Sequence, residues 1–301
     1  MTKRLFQAAL TLLGVLVVSF LLTRLSGDPT SLLVSESATK EDIQAMREAL
    51  GLDRSLPVQF YVFMSNALQG DFGMSLRQNT PALGLVLERL PATLQLALTA
   101  FAMGLGIAFV LALIVRLTGS SRLRTIFTAI AFTRQAVPVF FFGLLMMIVF
   151  SIVLRWLPSG GYGTWAHLIL PAFTLASFEV ALYLRLFDAA FSEEQSNDYV
   201  RTAMSKGQTR FGIVMKHMLP NALLPIVTVA GINLGLLLGG TVVTETVFSW
   251  PGMGRLVVQA VTQRDYPVIV AAVVVASTLF ILINIIVDLL YVLLDPRVRM
   301  S

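Results

Sequence analysis

The 301-residue chain contains no cysteine. That absence excludes disulfides, thiol catalysis and cysteine-ligated metals. Histidine is almost missing as well. His167 and His217 lie far apart and belong to no HExxH or comparable cluster, so the sequence offers no metal site. Charge is scarce: 13% of residues are Asp, Glu, Lys or Arg, against about a quarter in a soluble domain. There is no GxxxxGK(S/T) loop to cradle phosphates, so the chain does not hydrolyse a nucleotide itself. No nucleophile–base constellation appears, which argues against an intramembrane enzyme. Internal repeats and low-complexity tracts are also missing.

What is present is apolar surface. Hydrophobic residues make up 56% of the chain and the mean hydropathy is +0.80, a membrane composition. A helix needs about 20 apolar residues to cross a bilayer. Six segments reach that length, near Leu5–Leu25, Ala92–Val115, Ile126–Leu154, Leu168–Phe187, Ala222–Val243 and Val268–Leu294. The expected fold class is therefore all-α, a polytopic membrane protein with six transmembrane helices. The third segment is long enough to begin in the interface. Lys3 and Arg4 before the first span imitate a secretion signal, but the apolar core is long and no small-x-small cleavage site follows. An uncleaved span is expected.

The net charge of +5 points to loop asymmetry, not to nucleic acid. Lys3 and Arg4 precede span 1, and Arg116, Arg122 and Arg124 lie between spans 2 and 3. Arg185, Arg201, Lys206, Arg210 and Lys216 lie at or between the ends of spans 4 and 5, and Arg297 and Arg299 follow span 6. The short opposite loops hold only Arg155, Arg255 and Arg264. By the positive-inside rule both termini are cytoplasmic.

This topology leaves one sizeable external segment, about Ser26–Leu90. Thr39 can cap a helix running to Leu50, with Asp42 in its first turn and Gly51 just past its end. Pro57 opens a second helical stretch, Val58–Leu68. Gly70 and Gly73 then turn the chain through Asp71-Phe72-Gly73-Met74-Ser75. The segment reads as a small cap on the bundle, a lip around a pore mouth, or a dock for an external protein. The expected division is residues 1–25 as an N-terminal span, 26–90 as a helical external insertion, and 91–301 as a five-helix core with a cytoplasmic loop at 188–216.

The cytoplasmic loop carries the pattern closest to function. Glu193, Glu194 and Asp198 come first and Arg201, Lys206, Arg210 and Lys216 follow, an order that suits a helix dipole. Tyr199, Val200 and Ala203 share one face, and Gly207 turns the chain. The loop is either an ordinary solvated connection or a helix whose apolar face a partner buries.

Asp198-Tyr-Val-Arg-Thr-Ala-Met-Ser-Lys-Gly207, followed by Leu219-Pro220-Asn221-Ala222 and Leu224-Pro225, resembles the ATPase-coupling loop of ABC importer permeases. The resemblance is closest to the dipeptide/oligopeptide/nickel branch of the binding-protein-dependent transport inner-membrane family. Asp71-Phe-Gly-Met-Ser75, the run from Gly239 to Arg255, Arg264-Asp-Tyr-Pro267 and the run from Asp288 to Arg297 resemble further motifs of that branch, in the same order. The resemblance spans essentially the whole chain.

It implies a type I ABC importer permease fold in the bacterial inner membrane. It also implies a second homologous permease subunit, two cytoplasmic ABC ATPase subunits that bind ATP and Mg, and a periplasmic or extracellular substrate-binding protein. The cargo it implies is short peptides, nickel chelates, glutathione, opines or other small solutes. Carried over by position, the coupling residues are Tyr199, Val200, Arg201, Thr202, Ala203, Lys206 and Gly207. The apolar face of that helix is expected to carry most of the docking, since exposed ion pairs contribute about 0–1 kcal/mol each.

Polar groups inside spans are the remaining clue. An ionisable residue at a helix centre costs about 2.5–3.5 kcal/mol on insertion scales, so it needs a partner or water. Arg134 and Glu179 are two such residues. They read as a structural pair between spans 3 and 4, as groups lining the translocation path, or as interfacial residues. Glu245, beside Thr244 and Thr246, is expected to pack or gate at the end of span 5, and Asp288 to form a buried latch in span 6. Gly231, Gly235, Gly239 and Gly240 allow close helix approach in span 5. An ion-coupled secondary transporter is the competing class. It would need inverted repeats or broken helices around a midplane site; no such repeat is visible in the sequence, and the Asp198–Gly207 helix would be left without a role.

Overall fold

The computed structural model describes residues 2–25, 39–49 and 51–294. Among them the regular structure is helical apart from one antiparallel bridge between Met74 and Pro81. The helices are α1 (Thr2–Leu25), α2 (Lys40–Ala49), α3 (Leu56–Leu68), α4 (Ala82–Thr118), α5 (Ser121–Ala136), α6 (Val139–Val153), α7 (Trp165–Gln195), α8 (Asp198–Ser205), α9 (Arg210–Val247), α10 (Met253–Gln263) and α11 (Tyr266–Leu294). Five of them, α1, α4, α7, α9 and α11, are long and apolar enough to cross a membrane.

The expected third span, Ile126–Leu154, is not one rod. It is α5 and α6, which meet at 102°. The cause is Pro138. Proline lacks an N–H and pushes the residue before it out of the helical region, and Val137 is accordingly extended at φ −87, ψ 126. Counted as one broken span, the pair brings the crossings to six. Pro171 and Pro225, by contrast, lie inside continuous helices, as neighbouring spans permit when they resatisfy the freed carbonyl. Helix α9 opens with a widened π turn over Ile213–Met218 just before Pro220.

The chain forms two compact units. One comprises Met1–Leu90 and Leu256–Leu279. In it Thr39 caps α2 as its sequence foretells: its hydroxyl accepts from the Asp42 N–H at 3.2 Å, and Asp42 Oδ2 accepts from the Thr39 N–H at 2.9 Å. Gly51, at φ +64, closes that helix in the left-handed region that favours glycine. Pro57 stands in the first turn of α3. Phe20 of α1 stacks edge-on against Phe60 of α3 with centroids 5.2 Å apart. The Asp71–Ser75 turn is tied down by buried Asp265, which accepts from the Ser75 hydroxyl at 2.5 Å and from the Leu76 N–H at 3.1 Å.

The other unit comprises Pro91–Arg255 and Phe280–Ser301. Helix α7 is its centre and packs against α5, α6 and α9. Lipid is as apolar as leucine, so helices in a bilayer gain from close packing more than from hydrophobic transfer. Gly231 and Gly235 supply that closeness within the chain. A Cβ at Gly231 would overlap Val287, and one at Gly235 would sit 2.8 Å from the Phe280 ring. Gly239 and Gly240 have nothing within 4 Å of such a Cβ.

Candidate functional site

Helix α8 is short, and local chemistry fixes both of its ends. Asn197 precedes it in an extended conformation, and its carbonyl accepts from the Val200 N–H at 3.1 Å. Asp198 sits in the first turn, where a negative charge suits the helix dipole. At the other end Gly207 has φ +73. Its N–H donates to Met204 O at 2.9 Å, and the Gln208 N–H reaches Ala203 O at 3.3 Å, the double bond of a Schellman stop. Nothing lies within 4 Å of a Cβ built at Gly207. Backbone handedness, not space, calls for glycine there.

The apolar face of α8 is not free. Val200 is fully buried and Ala203 nearly so, packed in one cluster with Phe187, Phe191, Ile213, Val214 and Met218. The face expected to dock a partner is turned toward its own chain in this structure. An eight-residue helix gains too little from its own hydrogen bonds to stand alone, so its apolar side anchors it to the chain. The outward surface is formed by Tyr199, Arg201, Thr202, Met204, Ser205 and Lys206, with Arg210 and Phe211 beyond the turn. Met204 is 50% exposed and Phe211 58%. Sequence reasoning missed both. The signal was a large apolar residue in a polar loop with no periodic partner.

Tyr199 ties α8 to its neighbours. Its hydroxyl donates to the Glu194 carboxylate at the end of α7 and accepts from Asn221 Nδ2 of α9 at 3.1 Å. Asn197 Nδ2 donates to the same Glu194 carboxylate at 3.0 Å. Partial burial and the bond to Glu194 hold the Tyr199 phenol above its ordinary pKa, so it stays protonated as a donor. The ion pair between Arg201 and Asp198, at 3.7 Å, is almost fully exposed and contributes little.

Arg134 and Glu179 are not paired with each other. Arg134 Nε donates to Ser177 Oγ at 2.8 Å, one terminal nitrogen to Val137 O at 2.9 Å and the other to Thr174 O at 3.1 Å. Its guanidinium lies 3.8 Å from the Phe142 ring centroid. Arg134 thus clasps the carbonyl freed at the Pro138 break to α7. Glu179 accepts instead from Asn233 Nδ2 of α9 at 3.1 Å.

Glu245 is fully buried at the end of α9. Its Oε1 accepts from the Thr93 hydroxyl at 2.7 Å and its Oε2 from the Arg255 N–H at 2.9 Å. Thr93 Oγ1 in turn accepts from the Met253 N–H at 2.7 Å, and Trp250 Nε1 donates to Ala92 O at 2.8 Å. A Cβ at Gly252 would overlap the Glu245 carboxylate, and one at Gly254 would lie 2.7 Å from Val242 Cα. The two glycines make room for the acid, and the acid organises the turn after α9. The Asp288 side chain, the tail from 295 onward and Leu50 lie outside the described residues. Among the described residues no group of three His, Asp or Glu side chains converges as a metal site would.

Apolar helices long enough to cross a membrane, with the short amphipathic α8 held between the ends of α7 and α9, mark a polytopic membrane protein. The chain belongs to the binding-protein-dependent transport inner-membrane family. The model described as "Binding-protein-dependent transport system inner membrane component" matches residues 104–300, and its N-terminal companion matches residues 1–97. The chain is 41% identical to the glutathione transport system permease protein of Escherichia coli strain K12 over 304 residues, covering 99% of this chain and 97% of that one. The corresponding Salmonella typhimurium protein is equally similar, with the same coverage. Among solved structures, a chain of the MetNI methionine ABC transporter in inward-facing conformations aligns with a TM-score of 0.58 at 20% identity, covering 70% of this chain and 96% of its own. A chain of an amino acid ABC transporter aligns at 0.50 and 18% identity, covering 71% and 94%. These last two speak to the fold.

The chain is a multi-pass inner-membrane permease subunit of an ATP-driven ABC importer, with the ATPase on a separate subunit. The ion-coupled alternative is not favoured.

Proposed function

We propose that this subunit forms half of a translocation pathway for short peptides or peptide-like solutes such as glutathione, delivered by a binding protein outside the cell. The observation that carries the reading is the presentation of α8: anchored through Val200 and Ala203, stopped by Gly207, and exposing Tyr199, Arg201, Thr202, Met204 and Lys206. Two ATPase subunits, which bind ATP and Mg, grip that face. Their closure moves α8, and the Tyr199–Glu194–Asn221 bonds pass the movement to α7 and α9. Met204 and Phe211 give the docking surface its apolar contacts, and Arg201, Lys206 and Arg210 its charge. Both termini face the cytoplasm, as the Lys and Arg distribution favours. Residues 26–90 form the external insertion and 91–301 the moving core, which pairs with a second, homologous permease. The substrate class rests on the 41% identity to glutathione permeases.

The test is co-purification. Met204→Asp and Phe211→Asp place a charge on the exposed surface without touching the core, and both should lose the ATPase subunits while keeping the partner permease. Full retention of the ATPases by both variants contradicts the assignment. Uptake of labelled glutathione and dipeptides by the intact system tests the cargo, and transport of neither sets the substrate class aside.

A further inference from the structure

At the middle of α7 lies a carboxylate that the chain does not neutralise. Glu179 is half-buried at the chain's surface, not enclosed by it. Its Oε2 accepts from Asn233 near the middle of α9 at 3.1 Å. Among the described residues no cation is ion-paired with it. Arg134, the one positive group that sequence order suggests, spends all three nitrogens on Ser177, Val137 and Thr174. Helix α4 closes one side, where a Cβ at Gly104 would stand 3.1 Å from Ala176 O and 3.4 Å from Glu179 Cβ. One helical turn on, and on the same face of α7, Tyr183 is fully buried with its hydroxyl beside Asn233 and Glu179.

A carboxylate at the surface of a mid-span helix does not face acyl chains without penalty. It faces water, a partner or a cation.

Resting on the importer reading above, we propose that Glu179, oriented by Asn233, holds the free ammonium group of the solute as it passes through the membrane, with the Tyr183 hydroxyl as a positioning group one turn away. The ligand class is a small solute with a primary ammonium, such as the N-terminus of a short peptide. An ammonium offers three donors to a carboxylate that only accepts. The same solute with its amine acetylated has neither the charge nor those donors and gains nothing there.

The experiment uses the assembled permease–ATPase complex in lipid nanodiscs, without the binding protein. The probes are the dipeptide para-fluorophenylalanyl-alanine and its N-acetyl form, with binding read by fluorine NMR line broadening. Glu179→Gln is expected to weaken binding of the free-amine probe by about tenfold or more, the loss typical of removing one partner of a desolvated charge pair. Binding of the acetylated probe should be unchanged. Glu179→Asp keeps the charge and should retain most of the preference, and Asn233→Ala should lose part of it.

Equal effects on both probes, or no effect on either, overturns the proposal. So does loss of the second permease on purification of Glu179→Gln, which assigns the carboxylate to the subunit interface. ATP hydrolysis stimulated by the binding protein is measured on the same samples. Stimulation retained without amine discrimination sinks this inference alone, whereas a wild-type complex with no stimulation at all sinks the importer reading beneath it.

Discussion

Thr93 and Glu245 stand 152 residues apart in sequence and are joined by a buried 2.7 Å hydrogen bond. The same carboxylate accepts from the Arg255 N–H, and the same hydroxyl from the Met253 N–H. One acid and one alcohol thereby hold the turn after α9 against the start of the adjacent span. Leaving a buried donor unpaired costs about 1–3 kcal/mol. Glu245→Ala strands two such donors and Glu245→Gln presents a donor where an acceptor is needed, so both should lower the thermal unfolding midpoint, the alanine variant more. Trp250 lies inside the turn and its fluorescence reports the transition. A wild-type midpoint for Glu245→Ala contradicts this account of the turn.

Gly252 should be as intolerant as the acid it faces. An alanine Cβ there overlaps the Glu245 carboxylate, and overpacking of this kind typically costs about 1–3 kcal/mol. Gly239→Ala, with open space around its Cβ, serves as the neutral comparison in the same melting experiment. Equal midpoints for the two variants count against the packing argument.

Arg134 is predicted to matter for folding and not for selectivity. Its three bonds all go to its own chain. A lysine ammonium lacks the planar fork that reaches Ser177, Thr174 and Val137 together, so Arg134→Lys should lose about 1–3 kcal/mol of stability. The folded fraction should keep an unchanged solute range. A stable variant with altered selectivity places Arg134 in the pathway instead.

At Gly207 the requirement is handedness. An alanine in the left-handed region costs about 1–2 kcal/mol, whereas asparagine tolerates it better. Gly207→Ala should reduce ATP hydrolysis stimulated by the binding protein, and Gly207→Asn should restore much of it. Identical stimulation in both variants removes the Schellman stop from the coupling account.

The cap of α2 should respond to acid. Hydrogen bonds from the Thr39 N–H and hydroxyl hold the Asp42 carboxyl below its ordinary value of 3.8. A carboxyl whose folded pKa is depressed contributes its stability above the unfolded value and loses it as pH falls through the folded one. Intrinsic-rate-corrected hydrogen exchange at the α2 amides should therefore accelerate between pH 5 and roughly pH 3; Thr39→Ala, which removes the hydroxyl bond and keeps the larger N–H one, should reduce the difference, and Asp42→Asn should abolish it. No change with pH in the wild type argues against the cap.

Much of this was legible in the sequence, because local rules suffice for it. Apolar runs fix the spans, Thr39 and Asp42 fix the start of α2, and Gly207 fixes the end of α8. Pairings set by tertiary packing were not legible. Sequence order invited Arg134 to meet Glu179, yet the Pro138 break leaves a carbonyl nearby that the guanidinium satisfies, and Glu179 turns to Asn233. Val200 and Ala203 were legible as an apolar face, but not which body they face. That depended on Phe187, Phe191 and Val214 arriving from two other helices. The exposed Met204 and Phe211 follow from the same packing and have no periodic signature.

The central claim is that this subunit moves solute only when a separate ATPase works through α8. The direct measurement is uptake of labelled solute into proteoliposomes carrying the complete complex, with ATP on the ATPase side and the binding protein on the other. Accumulation should require the ATPases, ATP and the binding protein together, and should vanish in Met204→Asp. Solute accumulation by the purified permease alone, driven by a proton or sodium gradient, contradicts it.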